Sequence, residues 1–175
     1  GEYISFVDSD DFIHKQMLEL LVITAEKTKL DVVALDSFNH LSKNETFNQV
    51  LDLSNLQYTI HSEPLKHLLS NIRSSSVIWD KIYRKDIIQN KRFIEGIYFE
   101  DWPFITCLFS DLDKYVTIPY PLYNYNDVLV STMRSTFTLK KLNDYMTGIM
   151  FIHQYFQQPK FIKYWPIVRK KRITA

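Results

Sequence analysis

The 175-residue sequence predicts a mixed α/β fold: a mixed sheet flanked by helices, incomplete at its N-terminus and followed by a C-terminal helical segment. Three observations lead there. Short β-prone apolar runs alternate with longer segments whose apolar residues recur at helical spacing. Only 3 glycines stand against 15% aromatics, a composition of packed elements rather than glycine-rich connections. The chain also opens on what reads as a core strand. A buried parallel strand needs neighbours on both sides, so its expected neighbours lie upstream, as they would in a piece of a longer protein.

Residues 3 to 7, Tyr-Ile-Ser-Phe-Val, form that strand and stop at Asp8, after which residues 12 to 29 carry apolar side chains at helical intervals. Residues 31 to 35 read as a short buried strand, and residues 45 to 53 alternate loosely like an antiparallel edge. Ser62-Glu63-Pro64 opens the next helix, with Ser62 as N-cap and Pro64 in the first turn. Residues 76 to 83 are strand-like and run into a short helix at 85 to 90. Glu100-Asp101-Trp102-Pro103 then starts a helix through residue 109. Strands at 116 to 118 and 122 to 125 are separated by Pro119 and Pro121, and residues 139 to 156 form the longest helix. The expected division is a body of residues 1 to 135 and a helical extension, 136 to 175, ending in a basic aromatic tail.

Charge and cysteine use narrow the setting. Cys107 is the lone cysteine and sits in an apolar run, which excludes an intramolecular disulfide and suggests a buried structural thiol in a reducing compartment. Net charge is +1, but residues 159 to 175 hold six of the 21 Lys and Arg and no acid, leaving the rest near −5. No nucleic-acid partner is expected of such an acidic body. The tail mixes cations with aromatics over residues 160 to 172, a pattern suited either to an anionic membrane surface or to a solvated terminal helix that Pro166 interrupts. No apolar stretch approaches the ~18 residues of a membrane span. A cytoplasmic location follows as the expectation, at the inner face of a membrane if the tail engages lipid.

Two acidic clusters carry the chemistry. Asp8-Ser9-Asp10-Asp11 stands at the carboxyl end of an apolar strand, where α/β folds bind ligands. Carboxylates so close repel one another unless a cation sits among them, and Mg²⁺ or Mn²⁺ commonly takes one or two of them and completes its shell with phosphate and water. A helix-capping turn uses the same residues equally well. An EF-hand loop counted from Asp8 is spoiled by Phe12 and Ile13, and a dehalogenase-type phosphatase with Asp8 as nucleophile is disfavoured by Phe12. In Phe99-Glu100-Asp101-Trp102 a carboxylate beside aromatics suits a general base, although a capped helix start is again the simpler alternative.

The ordered set changes the balance. Tyr3-Ile4-Ser5-Phe6-Val7-Asp8-Ser9-Asp10-Asp11, Val77-Ile78-Trp79-Asp80-Lys81-Ile82-Tyr83-Arg84-Lys85, Glu100-Asp101-Trp102-Pro103-Phe104 and Tyr123-Asn124-Tyr125 occur in that order. Together they resemble the family 2 glycosyltransferases of bacterial cell-surface polysaccharide synthesis, over residues 3 to about 134. The resemblance implies the C-terminal part of a GT-A-like fold without the N-terminal nucleotide-binding half. It implies an inverting enzyme that moves a sugar from a nucleoside-diphosphate donor to an acceptor hydroxyl on a saccharide or lipid-linked saccharide. It further implies that Asp10 and Asp8 hold Mn²⁺ or Mg²⁺, with Asp11, Lys81 and Arg134 also on the donor side. Asp101 would be the catalytic base, and Glu100, Trp102 and Trp79 would face the acceptor. From the residues alone, a core-packed Trp79 and a Lys81 ion-paired with Asp80 or Asp86 are equally open. A phosphatase and a non-catalytic truncated remnant are the competing expectations.

Overall fold

In the computed structural model, the described residues are 1 to 40, 49 to 70, 77 to 126 and 136 to 171. The chain divides into two compact units of interleaved segments: Gly1–Ser62, Ile78–Asn90 and Lys114–Ser135 make the first, and Glu63–Val77, Lys91–Asp113 and Thr136–Ala175 the second. The division expected at residue 135 is therefore replaced. Residues 136 to 175 do not stand alone, because their helices find apolar partners in the earlier segments of the second unit.

The first unit is built on a five-stranded sheet. Its strands are β1 (Tyr3–Ser5), β3 (Val32–Leu35), β5 (Thr59–His61), β6 (Lys81–Arg84) and β7 (Tyr115–Ile118), in the spatial order β1-β6-β3-β7-β5. Only β3 and β7 run parallel, with Val33 opposite Val116; the other pairs are antiparallel. A smaller sheet places β8 (Tyr123–Tyr125) between β2 (Phe12–Ile13) and β4 (Asn39–His40). Helix α1 (Met17–Thr28) packs on β3, β6 and β7, burying Met17, Leu20, Leu21, Thr24 and Ala25 at helical spacing. It ends where Lys29 turns left-handed, φ 57°, and returns its amide to Ala25. Strands β3 and β7 are buried along their whole length, and the short helix α3 (Lys85–Ile88) follows β6 directly.

Two expectations change here. The opening strand is half-buried and, among the described residues, pairs on one side, antiparallel to β6. It is held there by side chains: Arg84 donates to Tyr3 Oη at 2.8 Å and to Asp31 Oδ1 at 3.0 Å, and the Tyr3 hydroxyl donates to Glu26. The helix expected from residue 12 starts at Met17, because Phe12 and Ile13 pair with Asn124 and Tyr123. The strand expected over residues 45 to 53 lies partly outside the described residues, and its described end is a 3-10 turn, Leu53–Asn55, capped by Asp52.

The second unit is helical. Helix α2 (Pro64–Ser70) begins with the Glu63 carbonyl accepting from the His67 amide, so Glu63 rather than Ser62 stands at the cap and Pro64 takes the first helical position. Helix α4 (Asp101–Ser110) is buried from Pro103 to Ser110 and packs against α2 and against α5 (Leu139–Phe156). A helix apolar on every side needs cover on every side. Burial holds the Cys107 thiol up to about 12, so it is the inert core thiol expected. Helix α6 (Trp165–Lys171) has Pro166 in its first turn, where proline is tolerated, so the tail is not interrupted there; Val168 is buried. Among the described residues no helix is long and apolar enough to cross a membrane.

Candidate functional site

In the first unit, the acidic turn between β1 and β2 is fastened to β8. The Asp11 amide donates to the Asp8 carbonyl at 3.2 Å, closing the turn. From β8, the Tyr123 hydroxyl accepts from the Asp8 amide at 3.1 Å and donates to Asp11 Oδ2 at 2.7 Å. Just beyond it, the Asn126 amide donates to Asp11 Oδ1 at 2.7 Å and its side-chain amide donates to the Asp10 carbonyl at 3.1 Å. Both Asp11 oxygens are thus engaged by protein donors, which makes Asp11 a fastener of the turn rather than a free donor-side ligand. Burial, and then the bond to Asp11, hold the Tyr123 phenol well above its ordinary value, so it stays protonated and able to donate.

Asp8 and Asp10 are exposed at the strand's end. Among the described residues no group of three or more His, Cys, Asp or Glu side chains converges as a complete metal cage. Two carboxylates are nevertheless a fitting donor set for a hard cation that takes its other ligands from phosphate and water.

The Trp-x-Lys segment turns inward. Trp79 is 6% exposed, with its ring stacked on Tyr123 at 4.1 Å and 23° and met edge-on by Phe38 at 4.8 Å. A buried indole stacked in this way does not offer a face to an acceptor sugar, so of the two readings open for Trp79 the structure shows the packed one. Lys81 is 1% exposed and ion-paired with the fully buried Asp80, not directed at a phosphate. The loop of Ser131 to Arg134 lies outside the described residues.

In the second unit, Glu100 is exposed at the cap position of α4 and Asp101 is its first residue, half-buried, with Oδ1 accepting from the Trp102 amide at 2.7 Å. Among the described residues Glu100 makes no side-chain capping bond, and the first-turn amide of Trp102 is taken by Asp101 instead. The residue before the pair, Phe99, has φ 63°, a left-handed backbone that costs a bulky side chain on the order of 1–3 kcal/mol and that the surrounding loop must hold in place. Trp102 is half-buried and stacks on Tyr145 at 5.4 Å and 12°.

The loop leading to Phe99 is fixed from α5 by residues that sequence reasoning missed. Asp144 accepts from the Tyr98 amide at 3.0 Å and from Lys140 Nζ at 2.6 Å, while Lys140 also donates to the Gly96 carbonyl at 3.1 Å. The Lys140 bond and then the Tyr98 amide hold the Asp144 carboxyl below its ordinary value. The four-residue spacing of Lys140 and Asp144 was the available sign. For Tyr123 the sign was its place in a motif to which no task had been assigned.

The mixed sheet flanked by helices is the GT-A-like architecture that the sequence resemblance implies. The chain shares this fold with the TarS protein of S. aureus. Against a TarS crystal structure in complex with UDP it gives a TM-score of 0.60 at 17% identity, covering 90% of this chain and 41% of that one. Against the UDP-GlcNAc complex the TM-score is 0.57, over 94% of this chain and 51% of that one. In sequence the chain is similar to the uncharacterized glycosyltransferase EpsJ of Bacillus subtilis, 30% identical over 137 residues, and to the uncharacterized glycosyltransferase YibD of Escherichia coli, 33% identical over 107. Those matches cover 73% and 58% of this chain but only 38% and 31% of the relatives, so the chain spans about a third of their length. A cholesterol galactosyltransferase of Borreliella burgdorferi is 27% identical over 124 residues. No protein-family model matches. The chain is thus a sequence relative of bacterial glycosyltransferases with a GT-A-type fold.

Proposed function

We propose that the chain carries the catalytic segment of an inverting, metal-dependent glycosyltransferase that uses a nucleoside-diphosphate sugar and an acceptor hydroxyl in polysaccharide or glycolipid synthesis. The observation that carries this reading is the exposed pair Asp8 and Asp10, held at a strand end by a turn whose third carboxylate, Asp11, is spent on fastening it. The names of the sequence relatives and the TarS-like fold support transfer over the phosphatase and over a remnant without catalysis.

Asp8 and Asp10 would bind the cation, Mn²⁺ or Mg²⁺, and through it the diphosphate. When bound, the cation neutralises charge on the leaving diphosphate. Asp101 is the base: its carboxylate takes the proton from the acceptor hydroxyl as that oxygen attacks the anomeric carbon from the face opposite the diphosphate, a single displacement that inverts configuration. Glu100, exposed beside it, orients the acceptor, and Trp102 lies on the acceptor side. We place the protein in the cytoplasm, with residues 160 to 172 available to an anionic membrane face.

Binding of Mn²⁺ in the presence and absence of UDP, with turnover of a UDP-sugar, tests these assignments. Wild type should bind Mn²⁺ weakly alone and better with UDP, and Asp10→Ala should lose that gain. Asp101→Asn should keep it. Transfer is to be measured in an enzyme that also has the nucleotide-binding half, because this segment alone is expected to turn over poorly if at all; there the same change should lose transfer by roughly 10²–10⁴-fold. Wild-type turnover in Asp101→Asn, or tight nucleotide binding that ignores metal, overturns the corresponding assignment.

A further inference from the structure

We infer that Tyr123 is a positioning residue: its hydroxyl clamps the Asp8-to-Asp11 turn in the form that presents Asp8 and Asp10. The inference rests on the reading of those two carboxylates as cation and diphosphate ligands. Residues 8 to 10 are exposed, so little packing dictates their backbone, and three neighbouring carboxylates repel one another when no cation is bound. Hydrogen bonds must therefore supply the order. The Tyr123 oxygen bonds both ends of the turn at once, accepting from the Asp8 amide and donating to the Asp11 carboxylate.

The phenol is itself packed on all sides. Its ring is fully buried in β8, whose neighbour Asn124 accepts from the side-chain amide of Asn39 on β4 at 2.9 Å, and it stacks on Trp79. Two motifs that the proposed chemistry leaves without a direct task, Trp-x-Lys and Tyr-x-Tyr, thereby acquire one. Trp79 fixes the ring of Tyr123, and Tyr123 fixes the turn. Ligands held by a rigid supporting shell bind without first paying to be ordered.

Tyr123→Phe keeps the ring and its stacking while deleting the clamp. In the 175-residue chain, hydrogen exchange read by NMR should show the Asp8 amide exchanging about tenfold faster or more, with the β3 amides unchanged. Mn²⁺ affinity in the presence of UDP, read by electron paramagnetic resonance, should fall about 10–100-fold, the usual effect of removing an outer-shell partner. Unchanged Asp8 exchange overturns the clamp. Faster exchange with wild-type Mn²⁺ affinity overturns its positioning role. Failure of the wild-type chain to take up Mn²⁺ with UDP overturns the ligand reading itself, a result separate from either of these.

Discussion

At the scale of the residue, the most demanding feature is the buried pair of Asp80 and Lys81. Asp80 is 0% exposed, its Oδ2 has no hydrogen-bond partner among the described residues, and burial raises its carboxyl from 3.8 to about 6 despite the neighbouring ammonium. Removing one partner strands the other, whereas removing both replaces charge with packing. Asp80→Leu alone should therefore cost about 3–5 kcal/mol in urea unfolding, and adding Lys81→Met should recover most of that. The sign of the pH effect follows from the raised value. Between pH 6 and 4 the folded chain binds a proton at Asp80 that the unfolded chain does not, so wild type should gain stability relative to the double variant as pH falls through this window, while lowered carboxyls such as Asp144 give both proteins the same opposite slope. Additive single costs, or equal pH profiles, would reject the pair as the source.

At the scale of the element, α5 was fully legible: residues 139 to 156 follow a helical period behind Thr138, and the structure agrees at both ends. Thr138 is extended, and its hydroxyl accepts from the Lys141 amide at 3.2 Å. Thr138→Ala should cost about 1 kcal/mol, and Thr138→Ser almost nothing, in thermal unfolding. Equal loss in both would assign the effect to the methyl group instead. Elements set by distant partners were less legible. Phe12 and Ile13 fit the helical period of the residues after them, yet they pair with a strand more than 100 residues away, and no local pattern announces such a pairing. The opening strand was legible as a strand but its partner was not: it pairs with β6, and Tyr3 accepts from Arg84, 81 residues on, and donates to Glu26. Its apolar content specified a strand without specifying how many neighbours it has.

At the scale of the whole molecule, the acidic clusters stood out through the ordered set of four motifs, since each alone fits an ordinary capped turn as well. Their supports were not readable. The bonds from Tyr123 and Asn126 span more than 100 residues, and Trp79 could be judged core or sugar-facing only once its stacking partners were known. The two units were hidden for the same reason, since each gathers three separated stretches of chain.

The lone thiol of Cys107 turns the second unit into its own clock. At neutral pH a group held near 12 exists almost wholly as thiol, and its burial in α4 denies reagents access, so a disulfide reagent can react only during excursions that expose the helix. The rate of labelling then counts those excursions, with no engineered probe and no background from a second cysteine. Labelling in native buffer should run at least about 10³-fold slower than in urea-unfolded chain, matching an opening free energy of about 4 kcal/mol or more. A rate within tenfold of the unfolded chain would mean that α4 spends much of its time uncovered.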